Sequence, residues 1–131
     1  MKILIVEDEP LVAMSLAFLL RIDGHDVPAP ADDLASALAS AEAVKPDLAL
    51  VDIQLARGVS GYDVAAALSD RGIACFFLTG NIPGGPCPEI ALGCLPKPHS
   101  DEALGTAIAI ANAHLTGQPR PKDETGELIL Y

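Results

Sequence analysis

Four places in this chain put a polar side chain directly behind an apolar run. Ile3–Val6 is followed by Glu7, Asp8 and Glu9, Leu48–Val51 by Asp52, Ile73–Leu78 by Thr79, and Gly93–Leu95 leads through Pro96 to Lys97. If these runs are parallel strands of one sheet, their carboxyl ends meet in one crevice, where such folds bind ligands. The crevice would hold at least three carboxylates, a hydroxyl and an ammonium. Crowded carboxylates repel and resist ionising together unless a cation relieves them. Oxygen donors suit a hard divalent ion, and few donors with room for water suit Mg2+. A carboxylate beside Mg2+ can attack a phosphoryl group while metal, ammonium and hydroxyl steady the charge on its oxygens. Taken singly, each residue has an ordinary explanation. Glu7, Asp8 and Glu9 suit a helix N-terminus, Asp52 a loop, Thr79 a strand, and Lys97 a solvated surface. Their succession at consecutive strand ends is what points to a site.

The elements that must position these residues alternate along the chain. Apolar runs at Ile3–Val6, His25–Ala29, Leu48–Val51, Ile73–Leu78 and Gly93–Leu95 are expected as strands. Three of them are almost continuously apolar, as in strands covered on both faces. Between them lie helical patterns. One starts at Pro10 and runs to Asp23 with Gly24 as its stop. A second is capped by Asp32 or Asp33 and ends before Pro46. A third has Ser60 and Asp63 at capping-box spacing and stops at Gly72. A last one is capped by Ser100 and ends near Gly117. This alternation predicts an α/β, flavodoxin-like, doubly wound five-stranded parallel sheet of order 2-1-3-4-5. One helix is missing from the pattern. "NIPGGPCP", residues 81–88, carries three prolines and two glycines, so a loop is expected there with at most one turn near Glu89–Leu92.

Composition narrows the class. The chain's 131 residues suit one domain, expected as 1–116 with a C-terminal tail at 117–131. A net charge of -10 and eight scattered basic residues argue against a nucleic-acid surface. No signal peptide and no membrane-length apolar stretch is read from the sequence, and three cysteines in no framework spacing suit reduced thiols. The expected place is the cytoplasm, without contact to membrane.

"ILIVEDEP", "DLALVDIQL", "FFLTG" and "LPKP", in this order and spacing, resemble the receiver domain of bacterial two-component response regulators over residues 1 to 116. The resemblance implies that Asp52 accepts a phosphoryl group from a phosphohistidine of a sensor histidine kinase or histidine phosphotransfer protein. It implies Mg2+ as cofactor, held by Glu7, Asp8, Asp52 and the backbone carbonyl of Gln54. Thr79 would hydrogen-bond a phosphoryl oxygen, Lys97 would pair with the aspartyl phosphate, and Lys97–Pro98 would be cis. Catalysis would extend to the chain's own phosphorylation and dephosphorylation and no further. Departures from the family pattern are Glu7 for the commoner Asp, Cys94 where a switch aromatic is frequent, and His99 after the Lys-Pro pair. The Thr-Gly pair and the Pro/Gly stretch resemble the stand-alone "FAT GUY" subgroup, which lacks a regular fourth helix. Output is then expected through Thr79 and reordering of residues 80–92.

Alternatives are a phosphate sink, a non-signalling interaction module, and a haloacid-dehalogenase-like phosphatase. The last needs a second Asp two residues after the nucleophile, where Gln54 stands. A nucleotide or flavin binder would need a Gly- or Ser/Thr-rich first loop in place of the acidic one. Cys87, Cys94 and His99 match no common zinc spacing. On the first helix Val12, Leu16, Leu19 and Leu20 form the stripe expected on the sheet. Leu11, Met14, Phe18 and Ile22 form a second stripe roughly 120° away. In receivers this helix docks on kinase or phosphotransfer helices, so the resemblance makes that second stripe the expected docking surface for one; as an exposed apolar patch it could equally take a second copy in a homodimer.

Overall fold

The computed structural model describes residues 1–81 and 85–131. Its elements are β1 (Ile3–Val6), α1 (Pro10–Ile22), α2 (Leu34–Val44), β2 (Leu48–Asp52), α3 (Gly61–Ser69), β3 (Ala74–Thr79), β4 (Gly93–Pro96), α4 (Asp101–Thr116) and β5 (Ile129–Leu130). A single 3-10 turn at Ala56–Gly58 links β2 to α3. β1, β2, β3 and β4 pair in parallel, with Ile3 opposite Leu48, Leu48 opposite Ala74 and Phe76 opposite Gly93.

Two features differ from the sequence expectation. The run His25–Ala29 is not a regular strand. It passes along the outer edge of β1 and touches it in parallel at two bridges, Lys2 with Asp26 and Val6 with Ala31. Pro28 and Pro30 lie between the bridges and have no N–H to give a ladder. With this edge segment counted as the second strand, the parallel part has the expected order 2-1-3-4-5. The second difference is at the other edge, where the tail folds back as β5. It pairs antiparallel with β4, so the sheet is mostly, not wholly, parallel.

The helices begin and end for identifiable reasons. Pro10 opens α1, where a missing N–H costs nothing. Asp33 caps α2 in a full capping box with Ser36. At α3 the Ser60 hydroxyl accepts from the Tyr62 amide, so the expected box with Asp63 does not form. Ser100 caps α4, which ends at Gly117 in the left-handed region. Between β3 and β4 the described residues hold no helix. A turn there is closed by the Ile90 and Ala91 amides on the Cys87 carbonyl. Residues 82–84 of "NIPGGPCP" lie outside the described residues, so the expectation for that part of the loop, reordering included, is not tested.

Alternation along the strands divides the core in two. Ile3, Ile5, Leu48, Leu50, Phe76, Leu78 and Leu95 face α1 and α4. Leu4, Val6, Ala49, Val51, Cys75, Phe77 and Cys94 face α2 and α3. Phe76 and Phe77 are fully buried on opposite faces, and losing either ring would cost about 3–5 kcal/mol. This two-sided packing fixes the strand ends that carry the polar residues.

Candidate functional site

Backbone pairing brings the strand ends together. Asp52 closes β2 and stands opposite Leu78, one residue before Thr79. The Lys97 amide donates to the Thr79 carbonyl at 2.6 Å, which holds the residue after β4 beside the end of β3. The helix that follows β2 is drawn in tightly, with the Gly61 amide donating to the Ile53 carbonyl at 2.9 Å. A Cβ at Gly61 would overlap the Asp52 carbonyl and crowd the Ile53 Cα. Glycine is therefore the residue that lets α3 start against the back of Asp52.

In the crevice Lys97 bridges two acids. Its Nζ lies 2.9 Å from Glu7 Oε2 and 3.0 Å from Asp52 Oδ2. The other oxygens are also engaged. Asp52 Oδ1 accepts from the Gln54 amide at 2.9 Å, and Glu7 Oε1 accepts from the Glu9 amide at 3.2 Å. Among the described residues Glu7, Asp52 and Thr79 are the buried polar ones, and Asp8 is half-buried. Burial and the adjacent Asp52 push Glu7 up to about 7, against the opposing pull of Lys97. Burial works to lower the pKa of Lys97, but its hydrogen bonds to Glu7 and Asp52 outweigh that and hold it above its ordinary value. One ammonium is thus set between two carboxylates that resist sharing the space as anions.

Glu7, Asp8 and Asp52 each offer a carboxylate oxygen, and these atoms lie within 4.8 Å of one another. Oxygens around a six-coordinate hard ion with bonds near ~2.1 Å fall within roughly this span. The donor set is all carboxylate, so the cluster can bind a metal of that kind.

The sequence-derived site residues converge, with two details of their own. The Thr79 hydroxyl donates to the Asn81 carbonyl at 2.7 Å and accepts from the Asn81 amide at 3.0 Å, so it is committed to a local turn. Gln54 meets Asp52 through its backbone amide, and its side-chain carbonyl accepts from the Asn81 amide group at 3.3 Å. Asn81 and Gly61 were not singled out from sequence. A glycine next to the capping Ser60 was the visible signal for Gly61; Asn81 offered none. Lys97–Pro98 is cis, in agreement with the family resemblance. His99 lies outside the crevice and lines a groove of about 330 Å³ with Leu11, Val12, Ser15, Leu16 and Leu19. Burial pushes Cys75 up to about 12 and Cys94 to about 11, so neither is a thiolate at neutral pH. Among the described residues, Glu7, Asp8 and Asp52 are the one grouping of metal-ligating side chains.

On α1 the stripe toward the sheet is covered as expected, with Leu16 and Leu20 buried and Val12 and Leu19 half-buried. Leu11, Met14, Phe18 and Ile22 are 64–81% exposed, which leaves an apolar strip along α1. Among the described residues no helix is long and apolar enough to cross a membrane.

Comparison with known protein families matches residues 3–109 to the response regulator receiver domain. The transcriptional regulatory protein PdtaR of Mycobacterium tuberculosis is 38% identical over 73 residues, which are 56% of this chain and 35% of that protein. The positive alginate biosynthesis regulatory protein of Pseudomonas aeruginosa is 36% identical over 124 residues, 86% of this chain and 47% of that protein. This chain therefore spans less than half the length of these two relatives. The solution NMR structure of the Erythrobacter litoralis PhyR response regulator REC domain superposes with a TM-score of 0.75 at 33% identity, covering 93% of this chain and 95% of that one.

Proposed function

The chain belongs to the response regulator receiver family, and on that premise we propose that Asp52 accepts a phosphoryl group from a phosphohistidine, with Mg2+ held by Glu7, Asp8 and Asp52. The observation that carries this reading is the crevice itself. Asp52 is set between Lys97 at 3.0 Å and two further acids whose oxygens fall within metal-sharing distance. The backbone carbonyl of Gln54 completes the proposed ligand set, as the family resemblance implies. When bound, the metal supplies positive charge to the oxygens of the phosphoryl group and of Asp52.

The protein's own part is positioning. An Asp52 carboxylate oxygen forms the new O–P bond while the bond from phosphorus to the donor imidazole nitrogen breaks and its electron pair stays on the imidazole. Lys97 starts on Glu7 and Asp52 and exchanges those contacts for a phosphoryl oxygen, so its charge is in place before transfer. Thr79 must release its hydroxyl from the Asn81 carbonyl to reach the same group. That release couples the state of Asp52 to the segment after β3. The exposed strip Leu11, Met14, Phe18 and Ile22, beside the groove lined by His99, suits an amphipathic donor helix docked over the crevice. A second copy of the chain is the competing occupant of that strip.

Gln54 supports this reading over a phosphatase of the haloacid-dehalogenase type. Its side chain is an amide held by Asn81 and offers no carboxylic acid for general acid–base work. The proposed role is signalling in the cytoplasm by a protein contact that differs between the two states of Asp52, with no reaction on any other substrate. The test is transfer from purified phosphohistidine donors onto the wild-type chain and onto Asp52→Asn. Labelling of the wild type alone supports the proposal; equal labelling of the variant removes it.

A further inference from the structure

Lys97 sits in a short arc of chain, residues 95–99, and both ends of that arc are held by one segment of the tail. Before the arc, Cys94 pairs with Ile129 and Gly93 with Leu130. After it, Glu127 takes Ser100 with both carboxylate oxygens. The Ser100 amide donates to Oε1 at 2.9 Å, and the Ser100 hydroxyl donates to Oε2 at 2.5 Å. The same hydroxyl accepts from the Ala103 amide at 3.0 Å, so the residue that caps α4 is also fixed from outside the helix. The bonds from the Ser100 hydroxyl and amide hold the Glu127 carboxyl below its ordinary pKa. Glu127 is therefore an anion at neutral pH, and both bonds are charge-assisted.

The segment that makes both holds is ordered in its own right. Asp123 Oδ1 accepts from the Thr125 hydroxyl at 2.6 Å and from the Thr125 amide at 3.0 Å, while Oδ2 accepts from the Leu128 amide at 3.1 Å. The Thr125 hydroxyl accepts from the Glu127 amide at 3.1 Å. A closed turn thus presents Glu127, and Ile129 and Tyr131 anchor that turn on the core layer of Phe77 and Cys94. On the other side, Pro96 and Pro98 flank Lys97 and fix φ before and after it. A hold at 94 and at 100 is in this way passed to the lysine backbone.

Within the crevice, by contrast, the contacts of Lys97 are those that phosphoryl transfer exchanges. Nζ leaves Glu7 and Asp52 for a phosphoryl oxygen, and Thr79, whose carbonyl takes the Lys97 amide, frees its hydroxyl. The holds at Cys94 and Ser100 stand outside that exchange.

We propose that residues 123–131 form a clip that positions Lys97 for phosphoryl transfer, with Glu127 as the positioning residue. The inference rests on the reading of Asp52 as phosphoryl acceptor and adds to it a residue that acts only through Ser100. A misplacement of about 1 Å at a charge-stabilising group can cost about a hundredfold in rate, so release of one end of a two-ended hold should cost about tenfold.

The experiment uses the full chain with acetyl phosphate, a donor too small to need a docking surface. Asp52 takes the phosphoryl group and acetate leaves. The labelling rate per folded chain and the Mg2+ concentration for half-maximal rate are read for each variant. Glu127→Ala should label about tenfold more slowly than wild type. Its Mg2+ requirement should be unchanged, because Glu7 and Asp8 follow β1 and Asp52 closes β2, and the tail pairs with neither strand. Glu127→Gln keeps an oxygen for the Ser100 amide and an amide group for the Ser100 hydroxyl, so it should restore most of the rate. Asp123→Ala opens the turn behind Glu127 and should slow labelling in the same direction; it takes the place of Glu127→Ala if that variant does not fold. Labelling of the folded alanine variants at the wild-type rate overturns the clip. So does a loss that tracks a weakened Mg2+ requirement, or one that Glu127→Gln does not restore. A wild type that takes no label at Asp52 overturns the underlying reading, and this inference with it.

Discussion

Metal-free protein should lose stability as pH rises from about 5 to 8, the reverse of what a paired carboxylate ordinarily does. The cause is Glu7, which burial and Asp52 push from 4.5 up to about 7. The folded chain then binds a proton that the unfolded chain has already released between those two values. Because the native state holds more protons there, stability is full below the unfolded pKa and falls as pH passes through the folded one. The displacement from 4.5 to about 7 corresponds to about 3 kcal/mol, or about 10 °C in Tm for a chain of this size. His25 acts in the opposite sense, since burial and the nearby N-terminal amine lower its pKa. The comparison with Glu7→Gln therefore isolates the Glu7 contribution. Differential scanning calorimetry in chelator across pH 5 to 8 is the assay. Wild type should lose Tm over this range by about 10 °C more than Glu7→Gln, and saturating Mg2+ should remove most of the difference by giving the charged carboxylate a partner. A wild-type profile parallel to that of Glu7→Gln would refute the burial argument for this crevice.

Other expectations are narrower. Asp8→Ala removes one of three clustered ligands, so the rise in Tm on adding Mg2+ should vanish at concentrations that saturate wild type; an unchanged rise would place the metal elsewhere. Gly61→Ala forces a methyl onto the Asp52 carbonyl and should cost about 1–3 kcal/mol, read by urea unfolding, with phosphoryl labelling falling more than the folded fraction does. Lys97 lies between two points where the tail is fastened, Cys94 paired with Ile129 and Ser100 bonded by its amide and hydroxyl to Glu127. A beryllofluoride adduct on Asp52 should therefore change amide exchange in residues 127–131, and identical exchange with and without the adduct would uncouple tail from site.

The parallel sheet was legible because buried strands write themselves as continuous apolar runs, and β1, β2, β3 and β4 lie where those runs lie. The edge segment near residue 27 was read as a strand from its hydrophobicity, although Pro28 and Pro30 in the same stretch already argue against a full ladder. β5 escaped because its partner, β4, is far away in sequence and a terminal ELILY carries no local sign of pairing. The one available hint was Gly93, since a glycine inside a strand marks close approach by another backbone. Site residues were legible for a topological reason. Strand ends in this fold converge, so the residue type at each end could be read off without knowing any distance. What could not be read were contacts made by loops over those ends, such as Asn81 with Gln54 and Gly61 against Asp52. These depend on where two separate backbones come to rest.

The proposed role of Asp52 is that of nucleophile in a metal-assisted phosphoryl transfer that the chain catalyses on itself. It is tested most directly by incubating the purified chain with acetyl phosphate, with and without Mg2+, counting phosphoryl groups by intact mass, and locating the acyl phosphate by its borohydride reduction to homoserine, read by peptide mass spectrometry. One phosphoryl group per chain is expected, dependent on Mg2+, labile to acid and located at Asp52, with none on Asp52→Asn. Labelling at another residue, or labelling of Asp52→Asn equal to wild type, would contradict it.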